Sequence, residues 1–463
     1  MSIRQEIPPM LRLALPLVLA EVGWMLMGVV DTIMVGHLPH PAQTISAVAL
    51  GGVLYNTLAF GIGGVLLGLD TYISQAHGAG EWDDANRWLL AGTVLAAMLA
   101  ALLMASVWIG PLAMARLPVD RDVMRQAIAF LGALNWGTLP LFLYMTFRRY
   151  LQAFNHVRPI AAALVSANLV NAGLDWLLLF GHRWTLAGRT LAIPSYGVPG
   201  AAVSTSLARL YLAAFVGLTV WWVDRRHHYG LRSALAQRRQ SARRLDTTRI
   251  RRLLRLGAPV GAQIFVEISI FAAVTALIGT MGPLPLAGHE IALNCVAFTF
   301  MVPFAISAAA SVRVGQAIGR GSAPQAAAAG WTAIGLGSGF MLCASLALLL
   351  LPSQIAHAFT RDPGVVAAAI PLLLVGAAFQ FFDGIQVTAT GALRGAGNTH
   401  AGLYVQLTGY WIIGIPAGLF FAFHRHLGAV GLWIGLALGL MFAGVALITI
   451  WRRTVHQGIP TRT

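Results

Sequence analysis

Twelve apolar runs of about twenty residues or more, separated mostly by short polar intervals, leave this chain little choice of solvent. A helix needs about 20 residues to cross a ~30 Å hydrocarbon core. Runs of that length recur at approximately 11–36, 46–72, 88–110, 126–150, 159–181, 198–223, 256–280, 286–312, 327–351, 364–390, 402–423 and 428–451. Inside lipid every backbone N–H and C=O needs an internal partner, so such runs read as helices. Composition agrees: 57% of the 463 residues are hydrophobic and 10% charged, against about 25% charged in soluble domains. The expectation is an all-α polytopic membrane protein whose helices form two pseudo-symmetric six-helix lobes.

All 31 basic residues are arginine, and the net charge is +15. In a soluble protein that charge would point to nucleic acid. Here the arginines gather between apolar runs, so the lipid bilayer accounts for them and no nucleic-acid partner is expected. With the N-terminus inside, 23 arginines fall on the cytoplasmic side and 7 outside, with Arg209 within the sixth run. The positive-inside rule then puts both termini in the cytoplasm. The first run is too long and too polar for a signal peptide and lacks a small-residue cleavage site, so it reads as a retained span. Cys295 and Cys343 lie in apolar segments and make neither a disulfide framework nor a metal-ligand spacing.

The one long polar interval, Asp224 to Arg252, splits the spans into two sets of six. This divides the chain into an N-lobe (1–224), a basic cytoplasmic linker (225–255) and a C-lobe (256–463). The linker is expected to lie on anionic headgroups with Leu231, Leu235, Leu245 and Ile250 dipping inward. The halves are also copies of one another. LRLALP at Leu11–Pro16 matches LRLGAP at Leu254–Pro259, 243 residues later, and the same offset pairs Gly36 with Gly279 and Asn155 with Asn398. After a two-residue slip, Gln75–Gly80 matches Gln316–Gly321. An even number of spans per copy gives both the same orientation, the parallel-repeat plan of alternating-access transporters.

A carboxylate at mid-membrane costs on the order of 2.5–3.5 kcal/mol on insertion scales and so needs a cavity, a partner or a proton. Glu21, Asp31, Asp70, Asp175, Glu267 and Asp383 all fall within spans. At 3.6 residues per turn, Glu21, Trp24, Gly28 and Asp31 share one face of the first span. Asn168, Asn171 and Asp175 share a face of the fifth, Gln263, Glu267 and Phe271 of the seventh, and Phe379, Asp383 and Gln386 of the tenth. Asp70 reads as a helix-end residue, and Asp175 is expected to meet Arg209 of the next span. Asp31, Glu267 and Asp383 have no obvious basic partner in their own or adjacent segments, which makes them the candidates for function. With Arg209 the one intramembrane base on this reading, the cavity should favour cations, and Trp24, Phe271 and Phe379 could add cation–π contact. Core packing is the ordinary alternative for any single aromatic.

PLVLAEVGWMLMGVVDTIMVGHL, DTYISQAHGAG, NLVNAGLDWLLLFG, VEISIF and FQFFDGIQVTATGALRGAGNT, in that order, resemble the multidrug and toxic compound extrusion (MATE) family in its NorM-like branch, over essentially the whole chain. The resemblance implies a multi-pass exporter of the bacterial inner membrane, driven by inward H+ or Na+ and expelling bulky organic cations, with no cofactor. It implies cation coupling at Asp31, Glu267 and Asp383, with Glu267 and Asp383 as the candidate sodium ligands. The resemblance places Asn168 and Asn171 in the cavity of the N-lobe, and with the polar stripes the expected cavity comprises Asp31, Trp24, Asn168, Asn171, Asp175, Phe271, Phe379 and Gln386. Phe379 departs from the family, standing where some members carry tyrosine, and Glu21 is an extra acid. The chain is expected to be a monomer. The competing reading is a lipid-linked oligosaccharide or cell-wall precursor flippase of the same superfamily, whose pyrophosphate cargo would call for cavity arginines. The catalytic motifs HExxH, GxSxG and Walker A are absent from the sequence, so no enzyme is expected.

Overall fold

The computed structural model describes residues 3–114, 120–186, 189–240 and 246–459. The helices are α1 (Ile3–Val35), α2 (Pro41–Gly63), α3 (Gly68–Gly78), α4 (Trp82–Met114), α5 (Arg121–Asn135), α6 (Thr138–Ala153), α7 (Arg158–Phe180), α8 (Gly197–His227) and α9 (Leu231–Gln240). They continue as α10 (Thr247–Gly279), α11 (Pro283–Gly319), α12 (Ala323–Leu350), α13 (Pro352–Phe359), α14 (Pro363–Gly395), α15 (His400–Gln406), α16 (Ile415–Leu419) and α17 (Gly428–His456). A short antiparallel hairpin, His182–Leu186 with Arg189–Ile193, joins α7 to α8. Among the described residues eleven helical segments are long and apolar enough to cross a membrane, and the pair α5–α6, bent by 48°, makes a twelfth. The bend falls at Gly137, where a Cβ would lie 2.9 Å from the Ser206 backbone of α8, so α5–α6 can approach α8 only without a side chain there.

The chain forms two compact units: Met1–Val18 with Asp70–Glu81 and Leu254–Thr463, and Leu19–Leu69 with Trp82–Leu253. A cut at the linker alone does not describe them, because the start of α1 and most of α3 belong with α10–α17. Specific polar contacts hold them there. Arg313 on α11 grips the Glu6 carboxylate of α1 with Nε and Nη2 at 2.6 and 3.0 Å, a bidentate geometry stronger than a point-charge contact. Thr71 donates to the Arg394 carbonyl at 2.6 Å. Gly78 meets the Gln316 carbonyl and Gly319 meets the Gln75 carbonyl, each so closely that a Cβ would lie 2.0–2.1 Å from the oxygen. Gln75 and Gln316, like Gly78 and Gly319, are repeat mates, so the repeat packs reciprocally against itself.

Within that unit α14 runs between α11, α12 and α17, and its small residues permit close contact: a Cβ on Gly391 would lie 2.3 Å from the Ser307 carbonyl. This is the packing expected where lipid supplies no hydrophobic drive between helices. Trp433 of α17 fills the core, its indole N–H donating to His289 Nδ1 at 3.0 Å. The eleventh apolar run is not a plain α-helix. Leu407–Gly414 and Phe420–His424 wind as π-helix on either side of α16, a local widening that often accompanies function.

In the other unit α8 packs on α5, α6 and α7. The linker binds protein as well as facing outward: Leu231 and Ile250 are buried, α9 packs on α4, and Asp224 accepts from the Leu231 N–H at 2.8 Å. Leu235 stays exposed, and Leu245 lies outside the described residues.

Candidate functional site

In the unit of Leu19–Leu69 and Trp82–Leu253, helical spacing brings Asp31 of α1, Asn171 and Asp175 of α7 and Thr205 and Arg209 of α8 together. The Asn171 amide bridges two carboxylates, donating to Asp31 Oδ1 at 2.5 Å and to Asp175 Oδ2 at 2.9 Å. Thr205 donates its hydroxyl to Asp31 Oδ2 at 3.1 Å. Both Asp31 oxygens thus accept from neutral donors, and the Asp175 carboxyl lies within hydrogen-bonding reach of the same group. Beside it lies a cavity of about 290 Å³ walled by α1, α2, α5 and α8, with Asp31, Trp24, Asn56, Phe130, Thr205 and Arg209 among its lining residues. Trp24 is backed by Tyr144, stacked at 6.2 Å between ring centroids. Asn168 ties α7 to α1, donating to the Gly23 carbonyl at 2.9 Å.

The expected Asp175–Arg209 pair does not form. No ion pair joins them among the described residues: Asp175 is taken by Asn171, and the Arg209 guanidinium stacks over the Tyr55 ring, 4.8 Å from its centroid. Arg209 Nε and Nη1 have no hydrogen-bond partner among the described residues. Tyr55 is itself fixed by a 2.8 Å hydrogen bond to Thr138 at the start of α6.

In the unit containing Leu254–Thr463, Glu267 of α10 and Asp383 of α14 lie within electrostatic reach of each other, and the fully buried Tyr410 hydroxyl of the π-helical stretch feels both. The Gln263 amide packs on Gly402, where a Cβ would lie 2.5 Å from its oxygen. Tyr410 Oη and the carbonyl oxygen of the buried Gln386 amide have no hydrogen-bond partner among the described residues. No group of three or more His, Cys, Asp or Glu side chains able to hold a metal occurs among the described residues. Phe379, expected on the cavity wall, is instead fully buried against Trp433 at 5.9 Å. Apolar shape complementarity inside the bundle takes it into the core, and Phe271 packs against the same core from its edge.

Sequence reasoning missed the partners of two other acids. Glu21 forms an ion pair with Arg148, the two side chains 10% and 7% exposed, so it is neither a free acid nor an extra attraction for cargo. Asp70, wholly buried, stands 3.7 Å from Arg394. Arg148 and Arg394 are among the arginines counted on the cytoplasmic side; their burial was invisible because they sit at helix ends, where hydropathy is ambiguous. Asp84, in the first turn of α4, pairs with Arg249 at 2.5 Å.

The family model described as MatE matches the chain twice, over residues 16–177 and 259–420, two copies at the offset of the internal repeat. The chain is 32% identical over 458 residues to "Probable multidrug resistance protein NorM" of Mesorhizobium japonicum, covering 97% of this chain and 94% of that one. It is 31% identical over 465 residues to multidrug resistance protein PmpM of Pseudomonas aeruginosa, covering 99% and 94%. Its fold is similar to the crystal structure of the eukaryotic MATE transporter AtDTX14, with TM-score 0.84 and 20% identity over 99% of both chains. The chain therefore belongs to the MatE family, the multidrug and toxic compound extrusion transporters, which are membrane carriers and not enzymes.

Proposed function

We propose that the chain is a multidrug efflux antiporter of the bacterial inner membrane, exporting organic cations and other amphipathic drugs in exchange for inward H+ or Na+ by alternating access. It works as a monomer with both termini in the cytoplasm. The observation that carries this reading is the Asp31 carboxylate on a cavity wall, held by Asn171 and Thr205 and in no ion pair with an arginine among the described residues. An anionic group held this way attracts a cationic drug, and occupancy by H+ or Na+ removes that attraction. Such mutual exclusion is the coupling free energy that exchange requires. Glu267 and Asp383 supply a second acidic pair, with Tyr410 and Gln386 as further oxygen donors for an ion. A pyrophosphate cargo would call for several arginines, whereas this cavity has one, opposite a carboxylate.

Efflux of a fluorescent cation measured in everted vesicles, with ΔpH or a sodium gradient imposed separately, tests the reading. One of the two gradients should drive transport, and Asp31→Asn, Glu267→Gln and Asp383→Asn should each abolish or strongly reduce it at matched expression. Transport that persists with both gradients collapsed rules out antiport, and wild-type rates in all three variants rule out these carboxylates.

A further inference from the structure

The end of α8 nearest the linker gathers three arginines with no acid to match them. Arg225, Arg226 and Arg232 are exposed, and none of them forms an ion pair among the described residues. What each touches is an indole. Arg225 lies over the Trp221 ring, 4.3 Å from its centroid, and Arg232 reaches the same ring at 5.6 Å, so two guanidiniums share one indole. Arg226 lies over Trp222 at 5.2 Å. The two pairs within α8 are four residues apart and so are neighbours on a helix. Arg232 arrives from the linker: His228 and Gly230 take positive φ of 54° and 84° and turn the chain back. The buried Asp224 then accepts from the Leu231 N–H at 2.8 Å and starts α9 beside the end of α8. Asp224, the acid next to Arg225, is taken up by that contact. A guanidinium stacked on a ring keeps its edge N–H groups free to donate.

The surface that leads to these arginines faces lipid. Leu207, Leu210, Leu218 and Trp221 are exposed on a helix long and apolar enough to cross a membrane, and Arg225, five turns beyond Leu207 at about 3.6 residues per turn, continues their stripe. Trp221 and Trp222, 43% and 50% exposed, are the amphipathic side chains that gather where hydrocarbon gives way to headgroups. Like charges brought together there repel, and an anion between them turns the repulsion into attraction. We propose that this end of α8 is a binding site for an anionic phospholipid of the leaflet bordering the linker. Arg225 and Arg232 hold its phosphodiester beside Trp221, Arg226 flanks it, and its acyl chains lie along the exposed leucines of α8. A soluble phosphate has no chains for that stripe, so the lipid is the occupant the surface fits. The site shares no residue with the Asp31 cavity or with the Glu267–Asp383 pair, and it is complete only while the linker is folded back, because Arg232 belongs to α9.

The test titrates purified full-length protein in an uncharged detergent with dioleoylphosphatidylglycerol or dioleoylphosphatidylcholine and reads the melting temperature. The anionic lipid should raise it further than the zwitterionic one. Arg225→Gln/Arg232→Gln should raise the half-effective concentration of the anionic lipid about 25-fold, at about fivefold for each arginine near an anionic surface. Its melting temperature in the zwitterionic lipid should match wild type, because neither arginine has an acidic partner to lose. Trp221→Leu changes no charge and keeps the surface apolar, yet it too should shift the anionic-lipid curve to higher concentration. Arg452→Gln/Arg453→Gln, at exposed positions in the last turns of α17, removes the same charge elsewhere and should leave the curve nearly in place. A glutamine pair at Arg225 and Arg232 that keeps the wild-type curve, or an equal shift from the α17 pair, overturns the site. Equal stabilisation by glycerol 1-phosphate, the headgroup chemistry without chains, overturns the lipid as its occupant.

Discussion

Breaking the Glu21–Arg148 pair from either side should give unequal results, and the inequality follows from the chemistry of the group left behind. Both side chains are about nine-tenths buried between α1 and α6, so solvent cannot take over the role of a lost partner. Removing one member of such a pair costs about 3–5 kcal/mol. In Arg148→Met the survivor is a carboxylate, which can escape by taking up a proton. The cost of that escape falls by about 1.4 kcal/mol for each unit the pH is lowered. In Glu21→Gln the survivor is a guanidinium, which has no neutral form to retreat to. At pH 7 both variants should be destabilised. Between pH 7 and pH 5 the Arg148→Met defect should shrink by up to about 2.7 kcal/mol, while the Glu21→Gln defect should stay constant. The double variant, which removes both charges, should be more stable than Glu21→Gln alone. Thermal unfolding of the purified protein in detergent, followed by size-exclusion at each pH, reads all three. Equal, pH-independent losses in the two single variants would refute the argument.

Three further outcomes follow from packing and titration. On α17 a Cβ at Gly435 would lie 2.3 Å from the Gly414 carbonyl, so Gly435→Val should push α17 off the π-helical segment, cost more than about 3 kcal/mol and abolish monodisperse protein; a well-behaved variant of wild-type melting point would contradict it. Trp433→Phe removes the indole donor to His289 and should cost about 1–1.5 kcal/mol, seen as a lower melting temperature. His156, in the turn before α7, has its pKa held below the ordinary histidine value of 6.5, first by burial and then by His227, whose ring is 5.2 Å away. A folded-state pKa depressed in a base favours the neutral form, so this contribution is present at pH 7.5 and is lost as pH falls below about 6.5. Amide exchange of the 154–157 turn should therefore speed up at pH 5.5 in wild type beyond the intrinsic pH effect, and not in His156→Gln.

Much of this protein can be read from order along the chain, because the properties concerned are local and additive. Apolar run length decides which segments enter lipid, whatever they later touch, and the spans and the 243-residue repeat follow from that. The stripe containing Asp31 and the stripe containing Asn171 and Asp175 are likewise consequences of 3.6-residue spacing, and α1 and α7 do bring them into hydrogen-bonding contact. What no local rule could supply is the partner of each charge. Arg148 and Arg394 sit at or just past the ends of their apolar runs, where sequence gives no sign of burial, yet each is buried beside an acid lying 127 or more residues away in the chain. Arg209 looked like the natural mate of Asp175, yet the bend at Gly137 and the face of Tyr55 turn it into the cavity. Phe379 shares the stripe of Asp383 but is drawn into the core by Trp433. Pairing, burial and helix widening depend on which helices meet and how closely, and that is decided by small residues and shape across the bundle, a property of the tertiary structure and of no single segment.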